Sequence, residues 1–138
     1  MPIGNGGHQS QGHPKASEVR SILRTLMGST NAGVKAAAAI TSDGLVIAAV
    51  LQEGVDADRF GAMSASLLAL AEREIAEIRR GDLRQLLIEG SEGAVLLVRA
   101  GQNVVLAVST EPGALMGKIF LEAKRSATKL NELLIEGG

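Results

Sequence analysis

Apolar positions recur at two periods along this chain. Val19, Ile22, Leu23, Leu26 and Met27 fall at helical spacing. Ser17 precedes them as a candidate N-cap, Glu18 sits in the first turn, and Gly28 is placed to stop the helix. The spacing predicts a first helix over residues 17–28. After the turn Asn31-Ala32-Gly33 comes Val34-Lys-Ala-Ala-Ala-Ala-Ile-Thr41, then Ser42-Asp43-Gly44 and the apolar run Leu45–Leu51. Four alanines favour helix by propensity. The run is short, however, and Asp-Gly between two apolar runs is a hairpin signal. Two antiparallel strands are expected, with small alanines that let a helix approach the sheet.

A second helix is expected from the N-cap Asp56 to about Arg80, stopped by Gly81. Within it, residues 60–71 carry no charge, between Asp58-Arg59 and Glu72-Arg73-Glu74. A surface helix on a lone domain normally shows one apolar stripe and one polar face. A helix that is apolar or small all round for about three turns has two faces to bury. The stripe Phe60, Ser64, Leu67, Ala71, Ile75 and Ile78 is expected to face the chain's own sheet. The ribbon Ala62, Ala65, Ala69, Glu72 and Ala76 is expected to meet something else, most simply a second copy of the chain.

Leu83–Glu89 scatters polar residues on both faces and reads as an edge strand. Ala94–Ala100 and Asn103–Ser109 are nearly continuous apolar runs and read as central strands covered on both faces. Pro112 suits the first turn of a third helix, whose stripe is Leu115, Ile119, Phe120, Ala123, Ala127, Leu130 and Leu134. The order is α-β-β-α-β-β-β-α. The expected fold is an α/β (α+β) sandwich with a five-stranded antiparallel sheet and helices on both faces. Residues 1–16, rich in Gly, Gln and His, are expected to be a flexible N-terminal tail on a single domain over 17–136.

Composition then removes function classes. The 138 residues suffice for one domain with a real core. A net charge of −1 offers no basic field for nucleic acid and no polybasic patch for a membrane. No cysteine is present, so disulfide, thiolate and zinc–thiolate chemistry are excluded. Phe60 and Phe120 are the only aromatics, too few for a base-stacking platform. No apolar run reaches the roughly 18 residues of a membrane span, and the start is no signal peptide. A cytoplasmic protein without direct membrane insertion is the expectation.

Chemistry is equally constrained. His8 and His13 are the only histidines and both lie in the tail, so no histidine base serves Ser29, Ser42, Ser64, Ser66 or Ser109. Gly113-Ala-Leu-Met-Gly117-Lys118-Ile119 is one residue short of a phosphate loop and lacks its Ser or Thr. Gly4-Asn-Gly6-Gly7 lacks the spacing of a dinucleotide fingerprint. The carboxylates fall on turns and helix faces. Arg79, Arg80 and Arg84 could reach a nucleotide in trans, but basic residues at a helix C-terminus already complement its dipole. No catalytic residue, metal site or cofactor is expected.

Several stretches together resemble the Roadblock/LC7 domain family, and within it the MglB-like prokaryotic regulators of Ras-like small GTPases. They are Gly33-Val-Lys-Ala-Ala37, Ser42-Asp-Gly-Leu-Val-Ile-Ala48, the small-residue second helix, Gly81-Asp-Leu-Arg-Gln-Leu-Leu-Ile-Glu89 and Gly117-Lys-Ile119. The resemblance covers residues 17–135 and implies the profilin-like Roadblock/LC7 fold. It also implies a homodimer in which second helices pack antiparallel and third strands pair into one sheet. The interface would comprise Ala62, Ala65, Leu68, Ala69, Glu72, Ala76, Leu83, Gln85 and Leu87. The dimer would dock a Ras-like GTPase and bias its nucleotide state, with Glu72, Arg73, Glu77 and Arg80 as the rim.

Two other readings compete. One is a purely structural dimerisation adaptor, akin to a dynein light chain or scaffold subunit, with no effect on GTP hydrolysis. The other is a small-molecule sensor on a PAS- or GAF-like sandwich, disfavoured by the scarcity of aromatic and placed polar residues. The sequence does not name the GTPase, separate hydrolysis from exchange, give a role to the tail, or set any oligomer beyond the dimer.

Overall fold

The alanine-rich run forms a strand against its helix propensity, because tertiary packing on both faces outweighs a preference of a few tenths of a kcal/mol per residue. In the computed structural model, which describes residues 12–136, α1 spans Ala16–Thr30, β1 Val34–Thr41, β2 Val46–Val50 and α2 Ala57–Glu77. Then follow β3 Gln85–Gly90, β4 Gly93–Arg99, β5 Val104–Thr110 and α3 Met116–Glu136. This is the expected element order.

The five strands form one antiparallel sheet in the order β2-β1-β5-β4-β3. Side chains alternate across it. Ala37 and Ala39 join Leu96, Val98, Leu106 and Val108 under α1 and α3, with Leu23, Leu26, Ile119 and Leu130 closing that layer. Ala38, Ile40, Leu97, Val105 and Ala107 face the other way, under Ala65 and Leu68 of α2. β5 is covered almost throughout, as a central strand should be. β2 and β3 are the edges, and β3 is exposed at every position except the half-buried Leu86.

Several ends differ from expectation. α1 runs through Gly28 and stops at Asn31, whose short polar side chain tolerates the left-handed conformation at φ 41°. Its N-cap position is Lys15, not Ser17. α3 starts at Met116, so Pro112 lies in the preceding turn. Most of the expected tail lies outside the described residues, His8 included. Of its last residues, His13 accepts a backbone bond from Ala16 at 3.0 Å, and the Lys15 ammonium donates to the Leu133 carbonyl at 3.2 Å. Ala16 already belongs to α1.

One close approach positions α2. The β1–β2 hairpin turns through Ser42-Asp43-Gly44, with Gly44 at φ +94°. Gly61 of α2 lies against this hairpin. A Cβ added to Gly61 would meet Val46 Cγ2 at 2.7 Å and the Gly44 carbonyl oxygen at 3.1 Å. Two glycines thus bring the first turns of α2 onto the hairpin and set the rotation of the helix.

Candidate interaction face on α2 and β3

That rotation decides which side chains of α2 are available. Gly61, Ser64, Ala65 and Leu68 face the sheet and are buried. Ala62, Met63, Ser66, Leu67, Ala69 and Leu70 lie on the outside. Met63 is 57% exposed, Leu67 40% and Leu70 61%. The sequence-level stripe is therefore turned. Leu67 and Ile78 were expected in the core and are exposed, whereas Ala65 was expected outside and is 7% exposed. The physical reason is the glycine contact: a helix held this close to its hairpin has room beneath it for Gly, Ser and Ala. Leu68, with the half-buried Phe60, fills the wider space over Leu97, Val105 and Ala107.

Of the expected interface residues, Ala62, Ala69 and Ala76 are on the exposed side of α2. Ala65 and Leu68 belong to the core and are covered by the chain's own sheet. Leu83 packs half-buried on the α2 side. On β3, Gln85 pairs with Val98 and Leu87 with Leu96, so both lie on the α1–α3 face of the sheet. Leu86 and Ile88 lie on the α2 face. Leu87 and Ile88 are each more than one third exposed at this free edge. An edge strand with unpaired backbone groups and exposed apolar side chains is a template for another strand.

Glu72 is committed elsewhere. Arg99, the last residue of β4, donates from Nη2 to Glu72 Oε1 and Oε2 at 2.8 and 2.7 Å and from Nε to Oε2 at 3.0 Å. Its Nη1 donates to Ser42 Oγ at 2.9 Å and to the Gln102 carbonyl at 3.2 Å. One guanidinium therefore ties α2 to the β1–β2 turn and the β4–β5 turn. Sequence reasoning missed Arg99 because it ends an apolar strand, and nothing local signals a partner 27 positions away.

Among the described residues, the rest of the expected rim makes no ion pair. Arg73, Glu77 and Arg80 are exposed. α2 ends at Glu77, earlier than expected, because Arg79 turns left-handed at φ 56°. The Arg79 N–H bonds the Ala76 carbonyl and the Arg80 N–H bonds the Ile75 carbonyl, each at 3.0 Å, which closes the helix as a Schellman motif. Arginine thus occupies the position where glycine is usual, and Gly81 follows two residues later. Beyond α2, an open trough of about 730 Å³ on the sheet is lined by Ile88, Val95, Ser109 and Pro112. Lys35 and Glu111, 3.9 Å apart, also line it.

The arrangement is an exposed apolar face on α2 and a free edge at β3, whose Leu86 packs against the same apolar cluster as Leu68 of α2. Residues 26–110 match the family model of the Roadblock/LC7 domain. The chain belongs to the Roadblock/LC7 domain family. An uncharacterized protein of Methanocaldococcus jannaschii is 41% identical over 101 residues, covering 73% of this chain and 88% of that protein. Among solved structures, an MglB in a tetrameric arrangement superposes with a TM-score of 0.78 at 20% identity, covering 90% of this chain and 93% of that one. Myxococcus xanthus MglB gives 0.78 at 18% identity, covering 86% and 96%. This Roadblock domain therefore has the expected profilin-like sandwich. Among its described residues, no helix is long and apolar enough to cross a membrane.

Proposed function

We propose that this Roadblock domain is a homodimeric regulator of a Ras-like small GTPase, acting as an assembled binding surface. The observation that carries the reading is the exposure of Met63, Leu67 and Leu70 on α2 together with the free edge of β3 on the same domain. Exposed apolar side chains and an unpaired strand edge both favour association, because covering them removes apolar area from water and satisfies backbone groups. The likeness to an MglB in a tetrameric arrangement supports self-association. The contact surface is then Ala62, Met63, Ser66, Leu67, Ala69 and Leu70 with β3, and Ala65 and Leu68 support it from beneath.

Pairing two β3 edges antiparallel requires a two-fold axis perpendicular to the sheet. Both α2 helices then lie on one side of a ten-stranded sheet and both α1–α3 pairs on the other. The GTPase reads what self-association leaves exposed, with Arg73, Glu77 and Arg80 steering the encounter. Control of the nucleotide state comes from differential affinity, not from a catalytic group of this chain.

The test is capture of a Ras-like GTPase from the native lysate, followed by binding to that GTPase loaded with GDP or a GTP analogue. Tighter binding to one form supports the regulator. Equal affinity rejects control of the switch and leaves a scaffold. Recovery of no GTPase favours the structural adaptor.

A further inference from the structure

The net charge of −1 conceals a sorting of charge by the fold. On α1, Arg20 and Arg24 stand one turn apart. They share an open hollow of about 440 Å³ with Ser17, Ser21 and Thr25. On α3, Lys118, Lys124 and Lys129 are exposed. Among the described residues no carboxylate pairs with any of these five cations. Arg125 is held by Glu122 at 3.0 Å. Among the described side chains of α1 and α3, the other carboxylates are Glu18 and Glu132, toward the end where α1 begins and α3 finishes, joined by the Lys15–Leu133 bond, with Glu132 one turn from Lys129. Leu121, 49% exposed, projects one turn from Lys118, Lys124 and Arg125.

We propose that the α1–α3 face docks on the surface of an anionic phospholipid bilayer. Two guanidiniums beside three hydroxyls offer charge-assisted hydrogen bonds suited to a phosphate headgroup. Lysines on flexible stems supply a diffuse field that attracts an anionic leaflet within a Debye length. An exposed leucine flanked by cations matches the make-up of interfacial helices. A protein partner fits less well, since lysine is depleted and aromatic anchors are enriched at protein interfaces, and Phe120 is half-buried here. The avidity rests on the dimer proposed above. Its two-fold axis puts both α1–α3 faces on the same side, so a flat membrane engages two patches at once while the α2 side stays free.

The test uses the full chain in co-sedimentation with phosphatidylcholine vesicles, with and without about one third phosphatidylglycerol, at low and at near-physiological salt. The wild type is expected to pellet with the anionic vesicles and not with the neutral ones, and salt should weaken it. Reversing three exposed charges, Arg24→Glu, Lys124→Glu and Lys129→Glu, should lower the partition coefficient at least about tenfold with the circular dichroism melt unchanged. Arg24→Lys should keep most of the binding. Absence of wild-type binding at low salt, equal binding to neutral vesicles, or unchanged binding by the triple variant would overturn the proposal. So would a triple variant that loses only GTPase capture, which would mark the face as a protein site. Sedimentation without vesicles reads the dimer separately. A monomer that still pellets with anionic vesicles keeps the lipid surface and rejects the avidity.

Discussion

Arg99 holds Glu72 through three charge-assisted hydrogen bonds of 2.7 to 3.0 Å and anchors the C-terminal third of α2 to the end of β4. The pair is only partly buried, with side-chain exposures of 24% and 37%. Its forked geometry and the links to Ser42 and Gln102 set it apart from an ordinary surface pair. Arg99→Ala is expected to destabilise the domain by about 1–2 kcal/mol. Arg99→Lys should recover only part of this, because an ammonium does not reproduce the fork. A double-mutant cycle with Glu72→Gln, read by denaturant unfolding, should show coupling between the two positions. Additive effects would mean that each residue acts alone.

Glycines 28 and 61 are both helical, and they should respond in opposite directions. Gly28 lies inside α1 with no atom within 4 Å of an added Cβ, so Gly28→Ala should stabilise by roughly 0.5–1 kcal/mol. Gly61→Val would drive a side chain into Val46 and the Gly44 carbonyl, and should cost about 1–3 kcal/mol. Thermal melts of the two variants check this. A melting temperature for Gly61→Val at or above wild type would show that α2 is not set by this contact.

Arg79 holds the left-handed position that ends α2. A non-glycine residue pays roughly 1–2 kcal/mol there, and glycine gives part of that back as unfolded-chain entropy. Arg79→Gly should therefore raise stability by roughly 0.5–1 kcal/mol, and Arg79→Ala should not. Strained positions concentrate where function requires them. GTPase binding by the stabilised Arg79→Gly protein would show whether the arginine is kept for its side chain.

Substitutions on α2 should divide by face. Leu70→Glu places a charge on an exposed position and should leave the folded monomer intact while opposing association. Ala65→Glu places a carboxylate against the chain's own sheet and should cost several kcal/mol of stability. Loss of self-association in Ala65→Glu would thus say nothing of the interface. Circular dichroism melts on both variants make the separation.

The element order was legible because hydrophobic period is a local property. Val19 to Met27 and Leu115 to Leu134 repeat at helical spacing, and the polar residues scattered through Leu83–Glu89 marked β3 as an edge. The rotation of α2 was not legible. Where Ala, Ser, Met and Leu occupy every side of a helix, the pattern fixes no direction. The face is then chosen by a long-range contact, Gly61 on Gly44. The end of the same helix was misjudged because Gly81 advertises a stop that Arg79 pre-empts. Glu72 read as an outward residue because its partner, Arg99, lies in another element. α2 does carry an exposed apolar face, Met63, Leu67 and Leu70, besides the one on its own sheet. Its membership had to come from the packing.

The proposed working surface is made by two copies joined through the outside of α2 and the edge of β3. Sedimentation equilibrium tests it directly on the 14.2 kDa chain at micromolar concentration. The wild type is expected at twice the monomer mass, and Leu70→Glu at the monomer mass with an unchanged circular dichroism spectrum. A wild type that sediments as a monomer, or a Leu70→Glu variant that remains fully dimeric, would contradict it.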